Sequence, residues 1–330
     1  MTNIATLSRM IAKAGAISVV LAALMSLPAV AQTFPAQTVR IVVPYSAGGS
    51  PDVIIRVVAQ ELSLKWGHPV IIDNKPGGNT IIGVTDVVKS PADGHTLLFT
   101  TDGTFLLNPI YYKSLPYSMK DLTPVSLLAT APHVLVASKS VPVTNVKEFV
   151  EWVKKNPGKA KYGATGSMSL QKLAMERFAR LSGIKILAIP YKGAPETTTA
   201  LLGGEISASI NGVALLTPYI ASGAIRGLAI TADKRSPIAP DLPTATEQGL
   251  PDFRSQGMFG LFAPAHLPDA VREKIQKDIV AVLEQPSIKS LLEARGFDLR
   301  GDDGVKFAAL IASESGRWKG VMDDLGVKQQ

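Results

Sequence analysis

The chain has 330 residues, a formal net charge of +7 and no cysteine. The missing cysteine excludes a disulfide framework and cysteine-linked lipid. Lys and Arg are scattered, with "GKAKYG" the densest cluster, and without a basic–aromatic stripe the chain is a poor nucleic-acid binder. The positive potential modestly favours anionic small ligands or an anionic membrane surface, and solubility alone accounts for it equally well.

Arg9 and Lys13 are the only charges before Ala31, and the apolar run "AISVVLAALMSL" is too short to span a bilayer. "PAVA", residues 28–31, supplies an Ala-x-Ala-type cleavage site, so residues 1–31 read as a secretory signal peptide. Its removal near Ala31 leaves 299 residues with a charge of +5, enough for two medium domains. The mature chain is expected to be exported and soluble, starting near Gln32.

From there strand-like and helix-like runs alternate, which predicts a parallel α/β architecture. "TVRIVVPY" is a strand followed by a helix over Pro51–Lys65, with Ser50 as its N-cap. "PVIID" is the second strand, and the loop "NKPGGNT" leads to a helix over 81–89. "HTLLFTT" and "HVLVAS" are the third and fourth strands, followed by a helix over 145–155. Strand "AKYGA", helix 169–181, strand "KILAIPY" and helix 194–202 come next. Strand "EISASI", helix 214–221 and strand "IRGLAIT" follow. "FGLFAP" is a last strand that returns to the first lobe, and the C-terminal part reads as helices, notably 268–283 and 304–325. No tandem repeat of 20–50 residues is present.

The strand–glycine loop–helix unit recurs at 42–62, 70–89 and "YGATGSMSLQKLAMERFARL", which suggests two doubly wound lobes with ligands at the carboxyl ends of strands. In "PYSAGGSPD" the exposed N–H groups of a helix start suit an anion. The loop lacks the Gly-x-x-x-x-Gly-Lys-Ser/Thr, Gly-x-Gly-x-x-Gly and Gly-x-Ser-x-Gly patterns. A plain turn and an anion site therefore fit it equally. "NKPGGN" reads as a turn by composition. In "GATGSMS", Ser167 and Ser169 suit both helix capping and ligand binding. The four histidines (His68, His95, His133 and His266) are dispersed and lack metal-ligand spacing, so no metal is expected. Nothing marks a catalytic nucleophile. An exported two-lobed chain without catalytic signatures is expected to bind rather than react.

The segments "VRIVVPYSAGGSPDVIIRVVAQEL", "WGHPVIIDNKPGGNTIIG", "SPADGHTLLFT", "LNPIYYKSLPY", "IPYKGAPETTTALLGGEI" and "KRSPIAPDLPTATEQGLPDF" resemble the Bug family of extracytoplasmic solute receptors. These are the substrate-binding components of tripartite tricarboxylate transporters, and the resemblance runs from about Phe34 to Val327. It implies a type II periplasmic-binding-protein fold whose lobes close over a carboxylate. Lobe one would comprise 32–131 plus 256–330, and lobe two 132–255. Lobe one would contribute Tyr45, Ser46, Ala47, Gly48, Gly49, Thr101 and Asp102 to the ligand site. Lobe two would contribute Ser167, Met168, Ser169, Lys172, Tyr191 and Asn211. Met168, Lys172 and Asn211 stand where the family pattern has glycine, histidine and aspartate. Lys172, at the third position of its helix, is either solvated or meets a second carboxylate, which would favour a dicarboxylate. The resemblance also implies a periplasmic monomer, without cofactor or catalysis, that works with membrane transporter subunits. A sensory receptor for a membrane kinase and an exported α/β hydrolase are the alternatives.

Overall fold

A single strand long enough to serve two sheets organises the molecule. In the computed structural model, which describes residues 34–165, 168–191, 193–251 and 253–330, this is β4, Leu122–Ser138. The expected signal peptide at 1–31 lies outside the described residues. The description that follows concerns Gln37–Gln330.

The first half is wound as expected. β1 (Val39–Val43) pairs in parallel with β2 (Val70–Asn74) on one side and β3 (Thr96–Thr101) on the other. Val39, Ile41, Val42 and Val43 are fully buried, as a central parallel strand covered on both faces requires. Two helices, α1 (Ser50–Trp66) and α2 (Ile81–Val88), make the crossovers. β3 runs into a π-turn at Gly103–Leu107 and the short α3 (Asn108–Tyr111). These two were not anticipated, because an apolar "TFLLNPIYY" carries no periodicity that separates a turn from a strand end.

β4 also departs from expectation. "HVLVAS" is only its second half, since Leu122–Pro132 continues the same strand and pairs with β9 (Gln256–Pro264). Pro124 and Pro132 lie within β4. Register shifts beside Pro124 and beside Leu127 accommodate the first of these prolines.

Beyond β4 the second winding comprises α4 (Val146–Lys155), β5 (Lys161–Thr165), α5 (Leu170–Leu181), β6 (Leu187–Tyr191) and α6 (Ala194–Leu202). It is completed by β7 (Ala208–Gly212), α7 (Val213–Ala221) and β8 (Ile225–Ile230). β5 pairs in parallel with β6 and β7, while β7 and β8 flank the end of β4. Ser169 caps α5 as expected, its hydroxyl accepting the Lys172 N–H at 3.2 Å. Phe149, Tyr162, Phe178 and Phe253 fill the core on this side.

After β9, α8 (Asp269–Leu283) and α9 (Pro286–Glu293) precede a strand where helix was expected. β10 (Asp298–Asp303) pairs antiparallel with β4, and α10 (Gly304–Asp324) follows. "DLRGDD" shows little apolar alternation, because only one edge of it is paired and its face is largely solvated. The path through the sheet is β2-β1-β3-β9-β4-β7-β5-β6, with β8 and β10 attached to β4 off that path. Two doubly wound α/β lobes joined by the crossing strands β4 and β9 are the type II periplasmic-binding-protein fold.

At the crossing, three segments are laced together. Ser255 N–H donates to Thr231 O at 2.8 Å, and Thr231 N–H donates to His133 O at 2.9 Å. The His133 ring lies 2.8 Å from the Ser255 hydroxyl through Nδ1.

Candidate functional site

The loop after β1 is braced from beneath. Gly49, not Ser50, is the N-cap of α1, and no side chain caps it. Asp52 instead turns its carboxylate back to the Gly48 N–H, at 2.9 Å. Arg56 Nε (2.8 Å) and Asn74 Nδ2 (3.0 Å) also donate to Asp52, and Asn74 donates to Tyr45 O at 3.1 Å. Burial works against the Asp52 charge, yet Arg56, the Gly48 N–H and Asn74 together hold it below the usual carboxylate range. Gly48 sits at φ +87°, so the loop needs a residue that tolerates the left-handed region. One of the loop amides is therefore committed internally. Among the described residues none accepts from the N–H of Ser46, Ala47 or Ser50, Ala47 and Gly48 form a hydrogen-bonded turn, and residues 46–50 are all exposed.

Tyr45 anchors the loop to the end of β3. Its hydroxyl lies 2.8 Å from Thr101 Oγ1 and 3.2 Å from Thr104 Oγ1, and burial pushes the phenol's pKa up. Thr104 continues the chain to Thr80 Oγ1 at 2.9 Å, and Asn108 Nδ2 donates to Thr80 Oγ1 (3.2 Å) and Asn79 O (2.9 Å). These bonds hold four successive residues, Gly77 to Thr80, at positive φ. For the β-branched Thr80, at φ +77°, that conformation costs about 1–3 kcal/mol, which the surrounding bonds must offset. "NKPGGNT" is thus more than the turn its composition suggests. The sequence carries no sign of this, because the partners Thr104 and Asn108 lie 24 and 28 residues away. Replacing Asn108 with Ala should destabilise the protein by about 2–3 kcal/mol, since Thr80 and the Asn79 carbonyl lose a buried partner. Urea denaturation of the purified variant measures it.

Asp102, 7% exposed, follows Thr101. It accepts from Gly103 N–H at 3.1 Å and also from the Thr101 hydroxyl and the Met258 N–H. Burial nevertheless outweighs those bonds and pushes its pKa up to about 7. On the other lobe Asn211, at the end of β7, is buried with its amide nitrogen on Ser209 Oγ (2.8 Å) and Thr197 Oγ1 (3.2 Å). Tyr191 ends β6 and packs half-buried against Leu201 and its neighbours. Ser167 lies outside the described residues.

Met168 and Lys172 stand apart from the Tyr45–Gly49 group. They line a cavity of about 230 Å³ with Tyr111, Glu176 and the C-terminal Leu325, Val327 and Lys328, and none of residues 45–49 borders it. A cation, Lys328, therefore shares that space with Lys172.

His133 is a residue that sequence reasoning set aside. It is 4% exposed, and burial drives its pKa down to about 4. Its Nδ1 meets Ser255 Oγ, and its Nε2 lies 3.4 Å from Gln171 Nε2 at the start of α5. A serine hydroxyl on an imidazole has the outline of a nucleophile–base pair. Here Ser255 is fully buried, the imidazole is a poor base, and its second nitrogen faces an amide rather than a carboxylate. The pair locks the crossing strands.

Residues 54–327 match the family described as the tripartite tricarboxylate transporter family receptor. The chain belongs to this receptor family. BugT of Bordetella pertussis is 32% identical to the receptor over 303 residues, covering 91% of this chain and 93% of that one. A protein from the tcbD–tcbE intergenic region of Pseudomonas sp. strain P51 is 31% identical over 288 residues, covering 87% and 85%. Among solved structures, R. palustris Rpa4515 with adipate superposes on the receptor with a TM-score of 0.82 at 30% identity, covering 90% of this chain and all of that one. MatC from Rhodopseudomonas palustris with bound malate gives 0.76 at 29% identity, covering 87% and 99%. The periplasmic binding protein BugD gives 0.78 at 29% identity, covering 90% and 100%. No helix among the described residues of the receptor is long and apolar enough to cross a membrane.

Proposed function

We propose that this protein is a periplasmic receptor that captures an organic carboxylate between its lobes and passes it to the membrane subunits of a tripartite transporter. The observation that carries the reading is the braced loop of residues 45–50. The N–H groups of its exposed residues Ser46, Ala47 and Ser50 lack an internal acceptor among the described residues, at the positive end of a 17-residue helix. The similar proteins that hold adipate and malate support a carboxylate as the ligand.

In this reading residues 1–31 are a signal peptide and the mature protein is monomeric. Lobe one is 32–131 plus 256–330, and lobe two is 132–255. Tyr45 to Gly49, Thr101 and Asp102 meet the ligand from lobe one. Ser167, Ser169, Tyr191 and Asn211 meet it from lobe two, with Met168 and Lys172 at the margin toward the C-terminal segment. The ligand charge is met by backbone amides and hydroxyls, and the binding energy drives lobe closure because only the closed form makes both sets of contacts.

Isothermal titration and thermal shift of the mature protein against adipate, malate and a wider carboxylate panel test this. A ligand at 100 times its dissociation constant should add about 2.7 kcal/mol of stability. If no carboxylate moves the melting temperature, the reading fails.

A further inference from the structure

The densest basic run in the sequence, Lys154 to Lys161, lies outside the proposed ligand site. α4 carries Lys154 and Lys155 in its last turn, where cations suit the negative end of the helix dipole. Pro157 and Gly158, the latter at φ +77°, then turn the chain, and Lys159 N–H donates to Asn156 O at 3.1 Å. Lys161 opens β5 beside Leu187, the first residue of β6 and its partner in the parallel register. Lys185 lies two residues before Leu187, and Leu181 ends α5, which returns the chain to this end of the sheet. The amino ends of β5 and β6 thus gather five exposed lysines around Leu187 and Leu181, which are 56% and 46% exposed.

None of the five forms an ion pair among the described residues, whereas Lys65, Lys75 and Lys274 each reach a carboxylate. The acids of α4 do not compensate. Glu148 accepts from the Thr144 N–H at 2.7 Å and its hydroxyl at 2.9 Å, and Glu151 pairs with neither Lys154 nor Lys155. The helix dipole accounts for two of these cations and leaves Lys159, Lys161 and Lys185 without a structural role. Composition decides which partner fits. Protein interfaces favour Arg, Tyr and Trp and are depleted in lysine. Here the lysines stand without arginine, since Arg180 beside Leu181 is engaged with Asp324 O. Flexible ammonium groups around exposed leucines suit a diffuse array of phosphates over an apolar layer.

We infer that this end of the second lobe rests on a bilayer surface carrying anionic phospholipid: the lysines meet headgroup phosphates, and Leu187 and Leu181 enter the interface between them. Each ammonium held near such a surface strengthens binding about fivefold, and the attraction fades within a Debye length. The position suits a receptor. Tyr191, on the ligand side of the sheet, is four residues along β6 from Leu187, about 13 Å at the rise of a strand. A protein held by the far end keeps its ligand loops clear of the lipid and meets its membrane subunits by a search along a surface. The inference uses the exported location proposed above and is independent of which ligand is carried.

Co-sedimentation of the mature protein with vesicles of three parts phosphatidylcholine to one part phosphatidylglycerol tests this, with pure phosphatidylcholine as the blank. Binding to the anionic vesicles at about 0.1 M salt should vanish near 1 M, where the screening length shrinks from about 10 to about 3 Å. The triple variant Lys154→Gln, Lys159→Gln, Lys161→Gln should bind about a hundredfold more weakly. The charge-matched Lys277→Gln, Lys289→Gln, Lys319→Gln on α8, α9 and α10 should bind as the wild type does. The chain has no cysteine, so Leu187→Cys and Leu64→Cys each carry one environment-sensitive fluorophore. The label at 187 should shift to the blue on anionic vesicles, and the label at 64 on α1, a position 74% exposed, should not. Equal losses in the two triple variants, an unresponsive label at 187, or no preference for anionic vesicles overturns the inference. So does retention by solubilised membrane subunits, lost only in the first triple variant, without vesicle binding, which makes the patch a protein interface. If vesicle binding follows the lysines while neither adipate nor malate binds any form, the membrane contact stands and the carboxylate reading fails.

Discussion

Gly48→Val is expected to abolish carboxylate binding while leaving the protein folded. A Cβ at Gly48 meets nothing within 4 Å, so the substitution causes no clash with the body of the protein. The damage is conformational. Gly48 lies at φ +87°, where a β-branched residue is strained, and the loop must rearrange to relieve it. Rearrangement releases the 2.9 Å bond from Gly48 N–H to Asp52 and misdirects the exposed amides on either side. Each charge-assisted hydrogen bond lost is worth about 1.5–3 kcal/mol, so losing two or more weakens binding at least a hundredfold. Gly48→Asn is the control, because asparagine enters the left-handed region more readily and should retain most of the affinity. Titration with adipate or malate separates the two variants. Normal binding by the valine variant would reduce the loop to a turn.

The parts of this site that could be read from the sequence are those whose signal is local. Ser50-Pro51-Asp52 announces a helix start, and "VRIVV" announces a buried strand. Even there the division of labour differs from the expectation. Ser50 caps nothing, and Asp52 serves the loop through the Gly48 N–H rather than the helix dipole alone. What could not be read is everything settled by tertiary partners. The strain at Thr80 is held by Thr104 and Asn108, and the imidazole of His133 is fixed by Ser255, 122 residues away. The long β4 was half-missed for a related reason. Leu122–Pro132 contains two prolines, which argue against a central strand; register shifts against β9 make room for Pro124, and Pro132 stands at the end of that pairing. β10 was missed because a strand paired on one edge needs little apolar alternation. Lys172 marks the limit of helix-position arguments. Its place three residues after the cap agrees with the structure, yet it lines a cavity together with Lys328 of the C-terminal segment, an arrangement no helical wheel reveals.

The second large effect is a pair of pH dependences that oppose each other. Asp102 has its pKa raised by burial to about 7, from 3.8 for the free side chain. Between these values the folded protein holds a proton that the unfolded chain releases. Asp102 therefore favours the fold at acid pH and costs stability as pH climbs toward 7. His133 is the reverse, because burial lowers its pKa from 6.5 to about 4. Between those values the unfolded chain takes a proton that the folded imidazole refuses, so His133 costs stability as pH falls. From about pH 4.5 to 6 each group contributes a slope of about 1.4 kcal/mol per pH unit with opposite sign, and the two cancel. The carboxylates held low by ion pairs and hydrogen bonds, Asp52, Asp86 and Asp278 among them, contribute their losses below this window. Urea unfolding of the wild-type protein should accordingly vary little with pH across the window. Asp102→Asn should unmask the histidine, so that stability falls on acidification by about 2 kcal/mol between pH 6 and 4.5. His133→Gln should unmask the aspartate and become more stable over the same interval. The Gln side chain also retains a polar group toward Ser255 and Gln171, which keeps the crossing laced and the comparison clean. Identical pH profiles for all three proteins would show that neither group titrates apart from solvent.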